Sequence, residues 1–152
     1  MGSTKGRVLV VDDEPAIRAL VAKILQRAGY PVDTARDGAE AIEKLNQEEA
    51  KYAVLVLDLM MPNIDGYGLI EYLKERGGPR PAIIVVSAGD SAAFRQLDGA
   101  IVHSILRKPF DIDVLGDLVD AAAQSLQEEE ERENRLKSAE VVPFRRNDNK
   151  SG

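Results

Sequence analysis

The sequence predicts an α/β protein in which five parallel strands alternate with helices in a three-layer (βα)5 sandwich. Three aliphatic runs, at 8–11, 54–57 and 83–86, each lead directly into a residue with a side-chain oxygen. Continuous runs of this length, rich in β-branched residues, are typical of central strands in a parallel sheet that is covered on both faces. Segments with helical spacing of apolar residues separate the runs, as repeated β-α units require.

Two weaker runs complete the predicted sheet. VDTA at 32–35 and VHSIL at 102–106 mix polar with apolar residues, which fits edge strands. With the aliphatic strands in the centre, the strand order becomes 2-1-3-4-5 with right-handed crossovers. The winding then reverses between strands 1 and 3, and ligands of such sheets bind outside the carboxyl ends of the strands at that point.

Helix signals fill the intervals between the strands. They are residue types that favour helix ends, namely Pro15, Gly29, Asp37 with Glu40, the Asp-Gly pair at 65–66, and Asp111. Proline suits the first helical turn, an acidic residue caps the start, and glycine suits the position after the end. A short fourth helix is predicted around Phe94 and Leu97, so that Asp111 begins the fifth.

Composition and charge exclude several classes of protein. The 152 residues, 44% hydrophobic and 30% charged, can form one domain with a proper core. There is no cysteine, which excludes disulfides and thiolate chemistry. No apolar run approaches membrane-spanning length, and the net charge of −6 comes without a long basic stripe. We therefore expect a cytoplasmic protein that neither inserts into membranes nor binds nucleic acid directly.

The chain is predicted to contain a single domain over residues 7–127. Residues 1–6 are expected to form a disordered start. Residues 128–152 are rich in charge and lack a sustained apolar period, which predicts a helix extension followed by a flexible charged tail.

Three acidic residues are predicted to meet at the crevice beside the strand ends. Asp12 and Asp13 follow strand 1 and Asp58 follows strand 3. Two such charges 4 Å apart repel by about 1 kcal/mol in water and about 4 kcal/mol at an effective dielectric of 20. Mg²⁺, which uses few protein carboxylates together with phosphate oxygens, would compensate them better than Ca²⁺. Lys108 and the hydroxyl of Ser87, each at a strand end, complete the groups needed to handle a phosphoryl group.

The same residues, taken in order, resemble a known family. VLVVDD, LDLMMPNIDG, VVSAG and KPF together are similar to the receiver domain of two-component response regulators, a flavodoxin-like and chemotaxis-regulator-like fold, over residues 7–126. The resemblance implies that Asp58 is the phosphoacceptor. It implies that Asp13, Asp58 and the backbone carbonyl of Met60 bind Mg²⁺ directly and that Asp12 does so mainly through water.

The resemblance also assigns the remaining site residues and the partners. Ser87 would bond to a phosphoryl oxygen and Lys108 would pair with it, and the Lys108–Pro109 peptide is expected to be cis. The phosphoryl group would come from a sensor histidine kinase or a histidine phosphotransfer protein. Output would be a phosphorylation-dependent contact with a downstream protein. Such a regulator catalyses only its own phosphorylation and dephosphorylation.

Two other functions stay open at this point. Receivers usually carry an aromatic residue three positions before the lysine, and this chain has Ile105 there. That difference argues for a pseudo-receiver, an interaction module that phosphorylation does not control, whereas the intact acidic trio and Lys108 argue against one. A haloacid-dehalogenase-like phosphohydrolase uses similar groups, but it needs a second aspartate two residues after the nucleophile, where this chain has Met60.

Overall fold

The aliphatic runs form the centre of a parallel sheet. The computed structural model describes residues 5–47, 51–61, 64–88, 94–95 and 97–138, and within them five strands pair in the order 2-1-3-4-5. The strands are β1 Arg7–Val11, β2 Val32–Ala35, β3 Tyr52–Leu57, β4 Ala82–Ser87 and β5 Val102–Arg107. Every pairing is parallel. The two runs of mixed polarity lie at the edges, which confirms the predicted fold class and strand order.

Four helices lie in the described part of the chain. They are α1 Pro15–Arg27, α2 Gly38–Leu45, α3 Gly66–Arg76 and α4 Ile112–Ser138, numbered here in chain order. The predicted caps are present, since Asp37 accepts a hydrogen bond from the Glu40 amide and Asp65 accepts one from the Gly68 amide. No helix in these ranges is both long and apolar enough to cross a membrane.

Some predicted segments fall outside the described residues. Most of the segment predicted as the short fourth helix is among them, although Phe94 and Leu97 are described and pack against the core. Residues 1–4 of the predicted disordered start and residues 139–152 of the predicted tail also lie outside. The predicted domain boundaries stay a prediction.

The sheet is covered on both faces because side chains alternate along each strand. Leu9 and Leu55 belong to a cluster that packs against α2 and α3. Val10 and Val56 belong to a second cluster, which packs against α1 and α4. Both clusters are built from side chains that are almost fully buried. The central strands are therefore held rigidly, and so are the residues that follow them.

Three backbone hydrogen bonds continue the sheet pattern past the strand ends. The Asp12 amide donates to the Ala35 carbonyl (3.2 Å), the Asp58 amide to the Val11 carbonyl (3.0 Å) and the Lys108 amide to the Ser87 carbonyl (2.9 Å). Each bond joins the first residue after a strand to the last residue of its neighbour. The sheet thereby fixes the positions of the predicted site residues.

Gly66, the first residue of α3, packs directly against the backbone that follows β3. A Cβ atom at this position would lie 2.7 Å from the Asp58 carbonyl oxygen and 2.6 Å from the Leu59 Cα. We predict that Gly66→Ala lowers the free energy of unfolding by about 1–3 kcal/mol, because the backbone on both sides must shift. Urea denaturation measures the change.

Gly116 of α4 supplies the control for this prediction. No described atom outside its own helix lies within 4 Å of a Cβ added there. Gly116→Ala should therefore raise the free energy of unfolding by about 0.5–1 kcal/mol, the helix preference for alanine. Equal effects of the two substitutions would contradict the close packing at Gly66.

Candidate functional site

Three carboxylates converge at the carboxyl ends of β1 and β3. Carboxylate oxygens of Asp12, Asp13 and Asp58 lie within 4.8 Å of one another. Asp12 and Asp58 are buried and Asp13 is exposed. The convergence predicted from the positions of these residues is therefore present, and one side of the cluster is open to solvent.

Asp12 is held by four hydrogen bonds. Besides the bond from its amide to β2, its Oδ1 accepts from the Glu14 amide (2.9 Å) and its Oδ2 accepts from Lys108 Nζ (3.0 Å). Its carbonyl oxygen accepts from Arg18 Nη1 (2.7 Å). In contrast, none of the described residues donates a hydrogen bond to the exposed carboxylate of Asp13. The two adjacent acids thus stand in different environments.

Lys108 supplies the positive charge of the site. Its Nζ lies 3.0 Å from Asp12, 3.4 Å from Glu14 and 3.5 Å from Asp58, and its side chain is only 14% exposed. Burial acts to lower the pKa of Lys108, but the hydrogen bond and charge of Asp12, followed by the charge of Asp58, raise it above its ordinary value. The Lys108–Pro109 peptide is cis, as predicted.

Asp58 is the least favourably placed charge of the cluster. Burial raises the pKa of the Asp58 carboxyl above its ordinary value, and the charges of Asp12 and Asp13 act in the same direction. The Met60 amide, which donates to Asp58 Oδ1 over 3.2 Å, and the ammonium of Lys108 oppose this rise without cancelling it. Additional positive charge beside Asp58 would stabilise its ionised form.

The other two predicted site residues lie at the edge of this cluster. Ser87 is fully buried at the end of β4, next to the strand that leads to Asp58. Met60 directs its amide toward Asp58, and the residue as a whole is 62% exposed. The roles predicted for the Ser87 hydroxyl and for the Met60 carbonyl stay predictions.

Two residues at the site were not predicted from the sequence. Glu14 shares Lys108 with the predicted aspartates, and Arg18 binds the Asp12 carbonyl. The sequence contains a signal for Arg18, because a cation in the first turn of a helix is unfavourable beside the positive end of the helix dipole. Such a residue is expected to have another partner.

The chemistry of the donor set agrees with the predicted metal. Three carboxylates, one of them exposed and one destabilised by burial, offer hard oxygen ligands within 4.8 Å of one another. Hard divalent cations such as Mg²⁺ prefer these ligands, whereas Zn²⁺ sites use the cysteine and histidine that this cluster lacks. The residues present therefore fit Mg²⁺.

Comparison with known proteins identifies the family. The model of the response regulator receiver domain matches residues 8–120, most of the chain. The chain belongs to this family. This match confirms the predicted resemblance to receiver domains. Receiver domains are signalling domains and not classical enzymes.

Two transcriptional regulators are similar to this chain over part of their own length. The DNA-binding transcriptional regulator NtrC of Escherichia coli K12 is 36% identical over 132 residues, which cover 86% of this chain and 27% of NtrC. The transcriptional regulatory protein TcrA of Mycobacterium tuberculosis is 36% identical over 110 residues, 72% of this chain and 42% of TcrA. The chain thus spans less than half the length of these relatives.

One solved structure aligns with this chain over almost the whole length of the solved protein. The response regulator TrrA of Thermotoga maritima, crystallised in complex with Mg²⁺ and BeF, is 33% identical, with a TM-score of 0.67. The match covers 77% of this chain and 98% of the TrrA chain.

The raised pKa of Asp58 predicts an unusual stability effect. The folded receiver holds the Asp58 proton more strongly than the unfolded chain, so stability falls as pH rises through the ordinary carboxyl pKa of about 3.9 to the raised folded value. In metal-free buffer at pH 7, Asp58→Asn should therefore raise the free energy of unfolding. The gain should vanish in acid, where both forms are neutral, and urea titrations across pH measure it.

The exposed Asp113 in the first turn of α4 is the matched control. Its carboxylate faces water and the favourable end of a helix dipole, so Asp113→Asn should bring no gain at pH 7. An Asp58→Asn protein less stable than its parent at pH 7 would contradict the electrostatic account.

Proposed function

We propose that this receiver accepts a phosphoryl group on Asp58 from a sensor histidine kinase or a histidine phosphotransfer protein, in a reaction that depends on Mg²⁺. The observation that carries the proposal is the placement of Asp58. It is buried, its pKa is raised, and it lies within reach of Lys108 and two further carboxylates. The match to TrrA, solved with Mg²⁺ and BeF, supports this assignment.

Asp58 acts as the nucleophile in this proposal. A carboxylate oxygen forms a bond to phosphorus while the P–N bond to the donor histidine breaks. The electron pair stays on the imidazole of the donor, which takes up a proton. The Met60 amide and Lys108 favour the ionised carboxylate that this attack requires.

Asp13, Asp58 and the Met60 carbonyl would hold Mg²⁺ directly, and Asp12 would do so through water. When bound, Mg²⁺ supplies charge neutralisation for the carboxylates and the phosphoryl oxygens. Both carboxylate oxygens of Asp12 already accept a hydrogen bond from a protein group, whereas the carboxylate of Asp13 is exposed, and this difference supports the division.

Lys108 and Ser87 would stabilise the product. Phosphorylation brings the charge at Asp58 to roughly −1.5 to −2, so the ammonium of Lys108 exchanges its carboxylate partners for a phosphoryl oxygen. The Ser87 hydroxyl would donate to another phosphoryl oxygen. The catalysis proposed is limited to the receiver's own phosphorylation and dephosphorylation, because Met60 offers no general acid for the turnover of phosphoesters.

Output is proposed to be a phosphorylation-dependent contact with a downstream protein. The net charge of −6 disfavours nucleic acid as a direct partner of this chain. Ile105, at the position that the aromatic residue usually occupies, is 42% exposed on the edge strand β5, where a partner can reach it.

Phosphodonor labelling tests the proposed nucleophile. With acetyl phosphate and Mg²⁺, the parent protein should gain the mass of one phosphoryl group, because the proposal makes Asp58 the nucleophile and gives Asp12 and Asp13 to the metal ion. Asp58→Asn should abolish the gain, and Asp113→Asn should leave it unchanged. Intact-mass spectrometry measures it. A parent that stays unlabelled would favour the pseudo-receiver, and an Asp58→Asn protein that still labels would move the phosphoacceptor elsewhere.

A calorimetric titration with Mg²⁺ tests the division between the adjacent acids. Asp13→Asn removes a proposed direct ligand and should weaken binding well beyond tenfold. Asp12→Asn removes a water-mediated one and should weaken it by only about tenfold, as for outer-shell partners. Equal losses would argue against the roles given to Asp12 and Asp13.

A further inference from the structure

Arg18 joins the first turn of α1 to the end of β1. Its guanidinium Nη1 lies 2.7 Å from the Asp12 carbonyl oxygen, and the side chain is half-buried. Charge-assisted hydrogen bonds of this length are about twice as strong as neutral ones. The bond forms even though the start of a helix disfavours a cation. The contact with Asp12 therefore outweighs a local electrostatic penalty.

Three hydrogen bonds connect the segment between β1 and α1 to the first turn of α1. The Arg18 amide donates to the Glu14 carbonyl (2.9 Å), and the Glu14 amide donates to Asp12 Oδ1 (2.9 Å). The Arg18 side chain then reaches back to the Asp12 carbonyl. These three bonds close a loop around Asp13, whose carboxylate accepts no hydrogen bond from any residue in the described part of the chain.

We infer that Arg18 is a positioning residue for the magnesium site. It touches neither metal nor phosphoryl group, and it acts by fixing the backbone that sets the direction of the Asp12 and Asp13 carboxylates. The inference rests on the Mg²⁺ dependence of the proposed function. It assigns Arg18 a role in metal affinity that its positive charge alone would oppose.

The sign of the effect separates positioning from electrostatics. A cation beside an acidic cluster repels Mg²⁺, so its removal should tighten binding if charge dominated. If Arg18 holds the carboxylates in place, its removal should weaken binding. We expect a loss of about tenfold, at the lower end of what outer-shell partners of metal ligands contribute.

The experiment compares three variants of the full chain. Arg18→Met removes the charge and the donors but keeps an unbranched side chain with good helix propensity. Arg18→Lys keeps a charged donor. Arg27→Met removes the same charge from the last turn of α1, about 14 Å along the helix, and is the matched control. Mg²⁺ affinity is measured by calorimetry, and exchange of the Glu14 amide is measured by NMR without metal.

We expect Arg18→Met to bind Mg²⁺ more weakly than Arg27→Met, Arg18→Lys to recover part of the affinity, and the Glu14 amide to exchange faster only in Arg18→Met. An affinity for Mg²⁺ that is unchanged or increased in Arg18→Met would overturn the inference. An Arg18→Met protein that is less stable than Arg27→Met but binds Mg²⁺ equally well would overturn it too. In that case a parent that binds Mg²⁺ leaves the proposed function standing. A parent that binds none would overturn both.

Discussion

The ammonium of Lys108 lies between two buried carboxylates, and the rest of the site depends on this contact. Lys108 follows the edge strand β5, whereas Asp12 and Asp58 follow β1 and β3. The ion pairs therefore cross β4, and they connect positions up to 96 residues apart in the chain. Without a cation there, Asp12 and Asp58 would leave uncompensated negative charge away from water, which folded proteins rarely tolerate.

The strength of this arrangement comes from the sheet. Backbone hydrogen bonds just past the strand ends fix Asp12, Asp58 and Lys108 with the same regularity as residues inside the strands. Apolar clusters on both faces keep those strands from adjusting. The charges consequently cannot separate to reduce their repulsion. Burial is the main cause of the raised pKa of Asp58, and the charges of Asp12 and Asp13 add to it. If the site binds a metal ion and a phosphoryl group as proposed, it gains from this rigidity, because the ligands are already in place.

Patterns that depend on backbone periodicity were predictable from the sequence, and contacts that depend on side-chain direction were not. Strand polarity placed VDTA and VHSIL at the edges, and the carboxyl ends of parallel strands had to bring Asp12 and Asp58 together. The contact from Arg18 requires a long side chain to turn back past the helix start, and many rotamers of arginine do not do so. The contact between Glu14 and Lys108 likewise depends on which rotamers the two side chains adopt. Sequence spacing contains no information that selects among such rotamers.

The neighbouring acids Asp12 and Asp13 show how one strand end can hold two unlike carboxylates. Successive side chains of an extended chain point in opposite directions, so two residues side by side in sequence need not share surroundings. Asp12 is buried, with both carboxylate oxygens occupied by Glu14 and Lys108. Asp13 faces solvent, and its carboxylate accepts no hydrogen bond from the residues that the structure describes. The hydrogen bonds that immobilise Asp12 also fix the backbone that carries Asp13. In the proposed function, the buried acid and its partner Arg18 thereby hold the exposed acid in position for a metal ion.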